Sequence, residues 1–120
     1  MIEDKIRRFQ ANNSLVVIGA NYRSSTMLLR DKLFICEPDL PLFYKRLKAI
    51  GYDQTIILST TDLTEFILTT KRNSSKELSV EVIKLLSAYV SESRSKIENQ
   101  VYHLIDQEAV KHVFAVAAGL

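Results

Sequence analysis

The chain has 120 residues, enough for one hydrophobic core and too few for two independent ones. Hydrophobic residues make up 47% and charged residues 25%, which excludes a disordered or fibrous protein and predicts one compact domain. Sixteen Lys and Arg against fourteen Asp and Glu leave a formal charge of +2, too small and too scattered to define a nucleic-acid-binding surface.

The single cysteine, Cys36, rules out an internal disulfide, a cysteine-rich zinc site and a CxxC redox pair, and fits a reducing, cytoplasmic setting. No run approaches the roughly 20 apolar residues that cross a bilayer, and the acidic start at Glu3-Asp4 is unlike a signal peptide, so no membrane partner is expected.

Ile2, Ile6 and Phe9 recur at helical spacing, and Asn12-Asn13-Ser14 breaks the pattern, predicting a short lead-in helix within residues 1–14. Residues 15–18 form a short, β-branched apolar run ending at Gly19, which predicts a buried first strand. A polar turn at residues 21–25 leads into a helix over 26–33. After Glu37-Pro38, Asp39 is placed to cap a second helix with an apolar face of Leu42, Phe43, Leu47 and Ile50, stopped by Gly51. Residues 55–59 and 65–70 read as two strands close enough to pair as a hairpin.

Ser74-Ser75 opens a long helix that carries Leu78, Val82, Leu85, Leu86 and Tyr89 up to a serine-rich break at residues 91–95. Residues 101–105 predict a last strand, and Asp106 is placed to cap a final helix through Ala109, Val113 and Ala117. This order is that of the α+β, ferredoxin-like (split β-α-β) fold: a four-stranded antiparallel sheet with helices on one face. The lead-in helix and the last helix are extra to it; the former is an N-terminal extension over residues 1–14, and the domain proper runs over 15–120.

Three stretches carry a family resemblance. Gly19-Ala20-Asn21-Tyr22, with Arg30-Asp31-Lys32-Leu33 downstream, resembles the Gly-x-Asn-His/Tyr and Arg-Glu-Lys-Leu motifs of glutamyl-tRNA reductases. Leu58-Ser59-Thr60-Thr61-Asp62-Leu63-Thr64-Glu65 is similar to that family's Leu-Ser-Thr-Cys-Asn-Arg-Thr-Glu signature. Ala109-Val110-Lys111-His112-Val113-Phe114, ending at Gly119-Leu120, resembles its Ala-Val-x-His-Leu-Phe segment.

The resemblance covers residues 15–120 and identifies the amino-terminal, substrate-handling domain. It implies attack on the ester of glutamyl-tRNA by a cysteine thiolate, then reduction of the thioester by NADPH to glutamate-1-semialdehyde for tetrapyrrole (porphyrin, heme) synthesis. A thiolate is a strong nucleophile, and covalent catalysis divides one difficult step into two easier ones. The resemblance places Asn21, Ser59, Thr60, Leu63, Thr64 and Glu65 around the substrate, Thr61 at the nucleophile's position, and His112 at a functional histidine.

Thr61 stands where the family has cysteine, Asp62 where it has asparagine, and Leu63 where it has the arginine that receives the substrate carboxylate. A threonine hydroxyl needs an adjacent base, and leucine offers a carboxylate nothing. Arg30 and Glu65 are either an internal ion pair or solvated surface charges; Lys5, Arg7 and Arg8 read as the wet face of the lead-in helix.

His103 and His112 lack carboxylate or thiolate company and sit on different predicted elements, so no metal site is expected. No Gly-x-Gly-x-x-Gly turn occurs, so no cofactor is expected in this chain; NADPH, a homodimer, and separate nucleotide-binding and dimerisation domains are what the resemblance implies for a full-length member. The ending at Gly119-Leu120 reads as a cut at a domain edge.

Two functional readings follow: a reductase substrate domain without its nucleophile, or a silent homologue serving as a tRNA- or protein-binding regulatory module. A third, an RNA-binding sheet, would need clustered exposed aromatics, and Tyr22, Phe66 and Tyr102 are dispersed.

Overall fold

The computed structural model describes residues 1–119; the side chains of Ile6, Phe9, Gln10 and Ala11 are not among those described. The elements are α1 (Ile2–Asn12), β1 (Asn13–Ala20), α2 (Met27–Leu33), α3 (Leu40–Ile50), β2 (Gln54–Ser59), β3 (Thr64–Lys71), α4 (Ser75–Val90), α5 (Arg94–Glu98), β4 (Tyr102–Ile105) and α6 (Gln107–Ala117). The four strands lie in the order β2-β3-β1-β4, every neighbouring pair antiparallel. That order is the split β-α-β arrangement expected from the sequence. The apolar face predicted for the lead-in helix depends on Ile6 and Phe9, and it falls, with Leu120, outside the described residues.

Strand alternation sorts the sheet into two faces. On one, Val16, Ile18 and Ala20 of β1 join Phe66 and Leu68 of β3 and Ile57 of β2 under α2 to α5, whose Leu29, Leu33, Phe43, Leu47, Val82, Leu86 and Ile97 complete the core. Phe43 stacks on Phe66 with ring centroids 6.0 Å apart and meets Tyr89 edge-on at 4.8 Å. Burying side chains of this size contributes about 1.5–3 kcal/mol each, so this layer carries most of the stability. The other face carries Val17, Gly19, Glu65 and Tyr102, and α6 packs over it beside β1 and β4.

Local signals account for most boundaries. Thr26 caps α2 by accepting from the Leu29 N–H at 3.2 Å, and Gly51, at φ 132°, ends α3 by donating to the Leu47 and Lys48 carbonyls. At the exposed edge of β2, the outward N–H of Ile57 donates to the Tyr44 hydroxyl at 3.1 Å, which occupies a position where another strand would pair.

Three expectations are corrected. β1 begins at Asn13 and runs through Gly19, because its partner β3 extends to Lys71 opposite Asn13. The serine-rich break contains α5, since the Ser93 hydroxyl accepts from the Lys96 N–H and starts a helix that buries Ile97. Asp39 and Asp106 stand at helix starts without capping them: Asp39 accepts from the Tyr89 hydroxyl at 2.9 Å, and Asp106 pairs with Arg72 at 3.0 Å. The last helix, expected as an addition to the split β-α-β arrangement, is α6, and it packs on the opposite face beside β1 and β4.

Candidate functional site

The motif residues gather where β1 ends, where α2 ends and where β2 turns into β3. Asn21, directly after β1, shapes its own loop: its side-chain oxygen accepts from the Arg23 and Ser24 N–H groups at 2.9 and 3.1 Å. Arg30 of α2 donates to the Ser25 carbonyl at 2.6 Å and more weakly to the Asn21 carbonyl at 3.4 Å, tying the same loop to the helix. Arg30 therefore braces a loop and does not pair with Glu65. Glu65 is not a surface charge either, being 1% exposed.

Ser59 and Thr64 face each other across the hairpin with hydroxyls 2.8 Å apart, under the α2 layer. Thr64 donates its one hydroxyl proton to the Leu33 carbonyl at 3.1 Å, so the Ser59 hydroxyl is the donor in their mutual bond. Ser59 also accepts from the Ile35 N–H at 2.9 Å. Both hydroxyl protons are spent inside the protein. These residues lock the hairpin to the end of α2.

The turn itself is closed by the Thr60 N–H donating to the Leu63 carbonyl at 2.7 Å, with the Thr60 hydroxyl accepting from the Asp62 N–H at 3.2 Å. Thr61 and Asp62 are exposed at its tip, and Leu63 is half-buried. The Thr61 side chain has no hydrogen-bond partner among the described residues, so no base is aligned on its hydroxyl.

Behind the turn, on the opposite face of the sheet, Glu65 meets two side chains from distant parts of the chain. Its Oε1 accepts from the Tyr102 hydroxyl at 2.7 Å and contacts His112 Nε2. The Tyr102 and His112 rings lie 5.3 Å apart at a tilt of 52°. Burial, and then the Glu65 carboxylate, push the Tyr102 hydroxyl's pKa far above its ordinary value, so it remains a donor across the physiological range.

Tyr102 reaches Glu65 by crossing β1 at Gly19, which pairs with both of them. A Cβ there would lie 2.7 Å from the Thr64 carbonyl oxygen and 2.9 Å from the Tyr102 hydroxyl. Gly19 is thus required for space. Sequence reasoning missed Tyr102; the glycine inside an otherwise β-branched strand was the available signal.

His103 projects from β4 toward the α2 to α5 layer, on the face opposite Glu65 and His112, so the two histidines do not converge. Among the described residues no group of three or more His, Cys, Asp or Glu is placed to hold a metal. Gly19 is paired within the sheet, Gly51 ends α3 and Gly119 follows α6, so none of the three forms a glycine-rich strand-to-helix turn of the pyrophosphate-cradling kind. No helix among the described residues is long and apolar enough to cross a membrane.

The strand order and the helical layer define an α+β domain of the ferredoxin-like kind, with its motif residues at one end of the sheet. The family profile described as glutamyl-tRNAGlu reductase, N-terminal domain, matches residues 18–120, and the chain belongs to that family. It is 33% identical over 108 residues to the glutamyl-tRNA reductase of Shewanella piezotolerans, a match covering 89% of this chain and 24% of that protein. The glutamyl-tRNA reductase of Syntrophobacter fumaroxidans is 34% identical over 108 residues, covering 88% and 23% respectively. The structure of glutamyl-tRNA reductase from Methanopyrus kandleri superposes with a TM-score of 0.61 at 20% identity, over 88% of this chain and 22% of that one, and shares the fold. The chain thus spans about a quarter of the length of the curated relatives it matches.

Proposed function

We propose that this chain is a substrate-handling domain that receives the glutamyl end of glutamyl-tRNA and does not form a thioester with it. The observation that carries the reading is the contrast within one motif. Around the turn, Thr64 is bonded to the last residue of α2, Ser59 to Ile35 just beyond it, the Asn21 loop to Arg30 of α2, and Glu65 to His112. The position of the nucleophile, in contrast, holds an exposed Thr61 whose hydroxyl has no base beside it among the described residues.

On this reading Thr60 and the Asn21 loop border the bound glutamyl group, and His112, held by Glu65, is the group assigned to exchange a proton with it. Ser59 and Thr64 serve as braces. Leu63 leaves the substrate's side-chain carboxylate without the bidentate partner an arginine provides, which weakens recognition. Reduction by NADPH, in a cytoplasmic homodimer that feeds tetrapyrrole synthesis, would require domains supplied outside these residues. Loss of a covalent nucleophile costs several kcal/mol of transition-state stabilisation, and about 1.4 kcal/mol is tenfold in rate.

The test mixes glutamyl-tRNA with four chains: the natural one, Thr61→Cys, Leu63→Arg and the double variant. Binding is read by filter retention against uncharged tRNA, and acyl-protein adducts by intact mass. The natural chain should prefer charged tRNA and give no adduct. Thr61→Cys should give a weak thioester, and the double variant more than the sum of the single changes, since positioning and attack act as a unit. Equal binding of charged and uncharged tRNA, or an adduct on the natural chain, would refute the reading. The silent regulatory module is favoured over a working reductase domain by the same exposed Thr61; an adduct-free chain that still binds glutamyl-tRNA is its expected signature.

A further inference from the structure

Glu65 is 1% exposed, and a carboxylate so buried must be supplied with donors. Tyr102 has one hydroxyl proton and spends it on Glu65 Oε1 at 2.7 Å. The second contact to the same oxygen is His112 Nε2. With the carboxylate ionised, Nε2 must carry the proton in that contact, because two facing acceptors repel. His112 Nδ1 has no hydrogen-bond partner among the described residues, and the side chain keeps 22% of its surface exposed.

Three features hold this orientation. The Tyr102 ring lies against the imidazole at 5.3 Å and limits its rotation. Ala109, one helical turn before His112 on α6, is fully buried and fixes that helix on the sheet. Gly19 leaves the gap through which the Tyr102 hydroxyl reaches Glu65.

We infer that Glu65, steadied by Tyr102 across Gly19, is a positioning residue that fixes His112 as its Nε2–H tautomer and leaves Nδ1 as the ring nitrogen available to a substrate. A proton taken from or returned to a bound ester would therefore pass through Nδ1. The part played by that nitrogen toward a glutamyl ester rests on the function proposed above; the tautomer does not.

The experiment is long-range ¹H–¹⁵N correlation of the imidazole nitrogens in the natural chain at about pH 9, well above the ordinary histidine range. The expected spectrum has His112 Nε2 protonated and Nδ1 bare, with the Nε2–H form in excess by at least about tenfold, as a charge-assisted bond of about 1.5–3 kcal/mol implies. Glu65→Gln replaces the charged acceptor with a neutral one and should cut that excess several-fold, while His103 stays unchanged.

Tyr102→Phe should keep the tautomer and speed exchange of the Nε2 proton with solvent. The natural-chain spectrum decides the tautomer even where a variant does not fold. Loss of glutamyl-tRNA binding with the tautomer intact would sink the functional reading alone. A predominant Nδ1–H form in the natural chain, or an excess unmoved by Glu65→Gln, would overturn the inference.

Discussion

Gly19→Ala isolates the contact on which the buried cluster depends. A glycine within a strand ordinarily costs about 0.5–1 kcal/mol relative to alanine, so at an unconstrained position the change would stabilise the protein. Here the added Cβ would meet the Thr64 carbonyl oxygen at 2.7 Å, the Tyr102 hydroxyl at 2.9 Å and Glu65 Cα at 3.1 Å. The carbonyl is backbone of the paired strand and can yield only if β1 and β3 separate.

Overpacking of this kind costs about 1–3 kcal/mol. Displacing Tyr102 would also leave the buried Glu65 short of a donor, for about 1–3 kcal/mol more. Set against the ordinary gain, the net loss should be about 1–5.5 kcal/mol, a large share of a domain's total stability. The chain has no tryptophan, so urea unfolding is followed by far-ultraviolet circular dichroism.

The midpoint should fall, by about 1 M for each loss of about 2 kcal/mol. In a double-mutant cycle, Tyr102→Phe should cost less in the Gly19→Ala background than in the natural one, because the hydroxyl it removes is already displaced. Unchanged or raised stability for Gly19→Ala would refute the argument, as would strict additivity with Tyr102→Phe.

Other consequences are simpler to test. Tyr44→Phe removes the hydroxyl that accepts from the edge N–H of Ile57, and should lose about 0.5–1.5 kcal/mol in urea unfolding while raising the dimer fraction in light scattering. The Tyr52 hydroxyl is buried with no hydrogen-bond partner among the described residues, and burial pushes its pKa well up, so Tyr52→Phe should be neutral or stabilising by up to about 1 kcal/mol in the same assay. Glu92 bridges Lys32 of α2 and Lys96 of α5 at 2.6 and 3.3 Å, and these lysines hold its carboxyl below the usual range. A depressed acid contributes stability above its unfolded pKa and loses it as pH falls through the folded one, so Glu92→Gln should lower the melting temperature at neutral pH and match the natural chain in strong acid.

Much of the architecture was legible in the order of the residues. A β-branched run between polar turns makes a strand whatever surrounds it, and Thr26 and Gly51 end their helices through local backbone geometry. Strand order followed from the alternation of elements, because few antiparallel arrangements connect them without crossing. The family resemblance was equally visible, since it rests on short runs of neighbouring residues.

Other features required the folded chain. A serine both breaks and caps helices, so the run containing Ser93 pointed both ways until Ile97 found a place in the core. Asp39 and Asp106 had the residue type for capping, yet Tyr89, 50 residues away, and Arg72, 34 residues away, claimed their carboxylates.

Glu65 showed the widest gap between sequence and structure. Its neighbours along the chain suggested a polar turn, but its environment comes from Tyr102 and His112, 37 and 47 residues onward. The sequence by itself determined the elements and their order, because those depend on residues close together in the chain. Only the tertiary structure decided that Glu65 is buried, that Tyr102 and His112 share its oxygen and that Gly19 leaves them room, because residues on three different strands and α6 meet only once β4 lies beside β1 and α6 packs on the sheet.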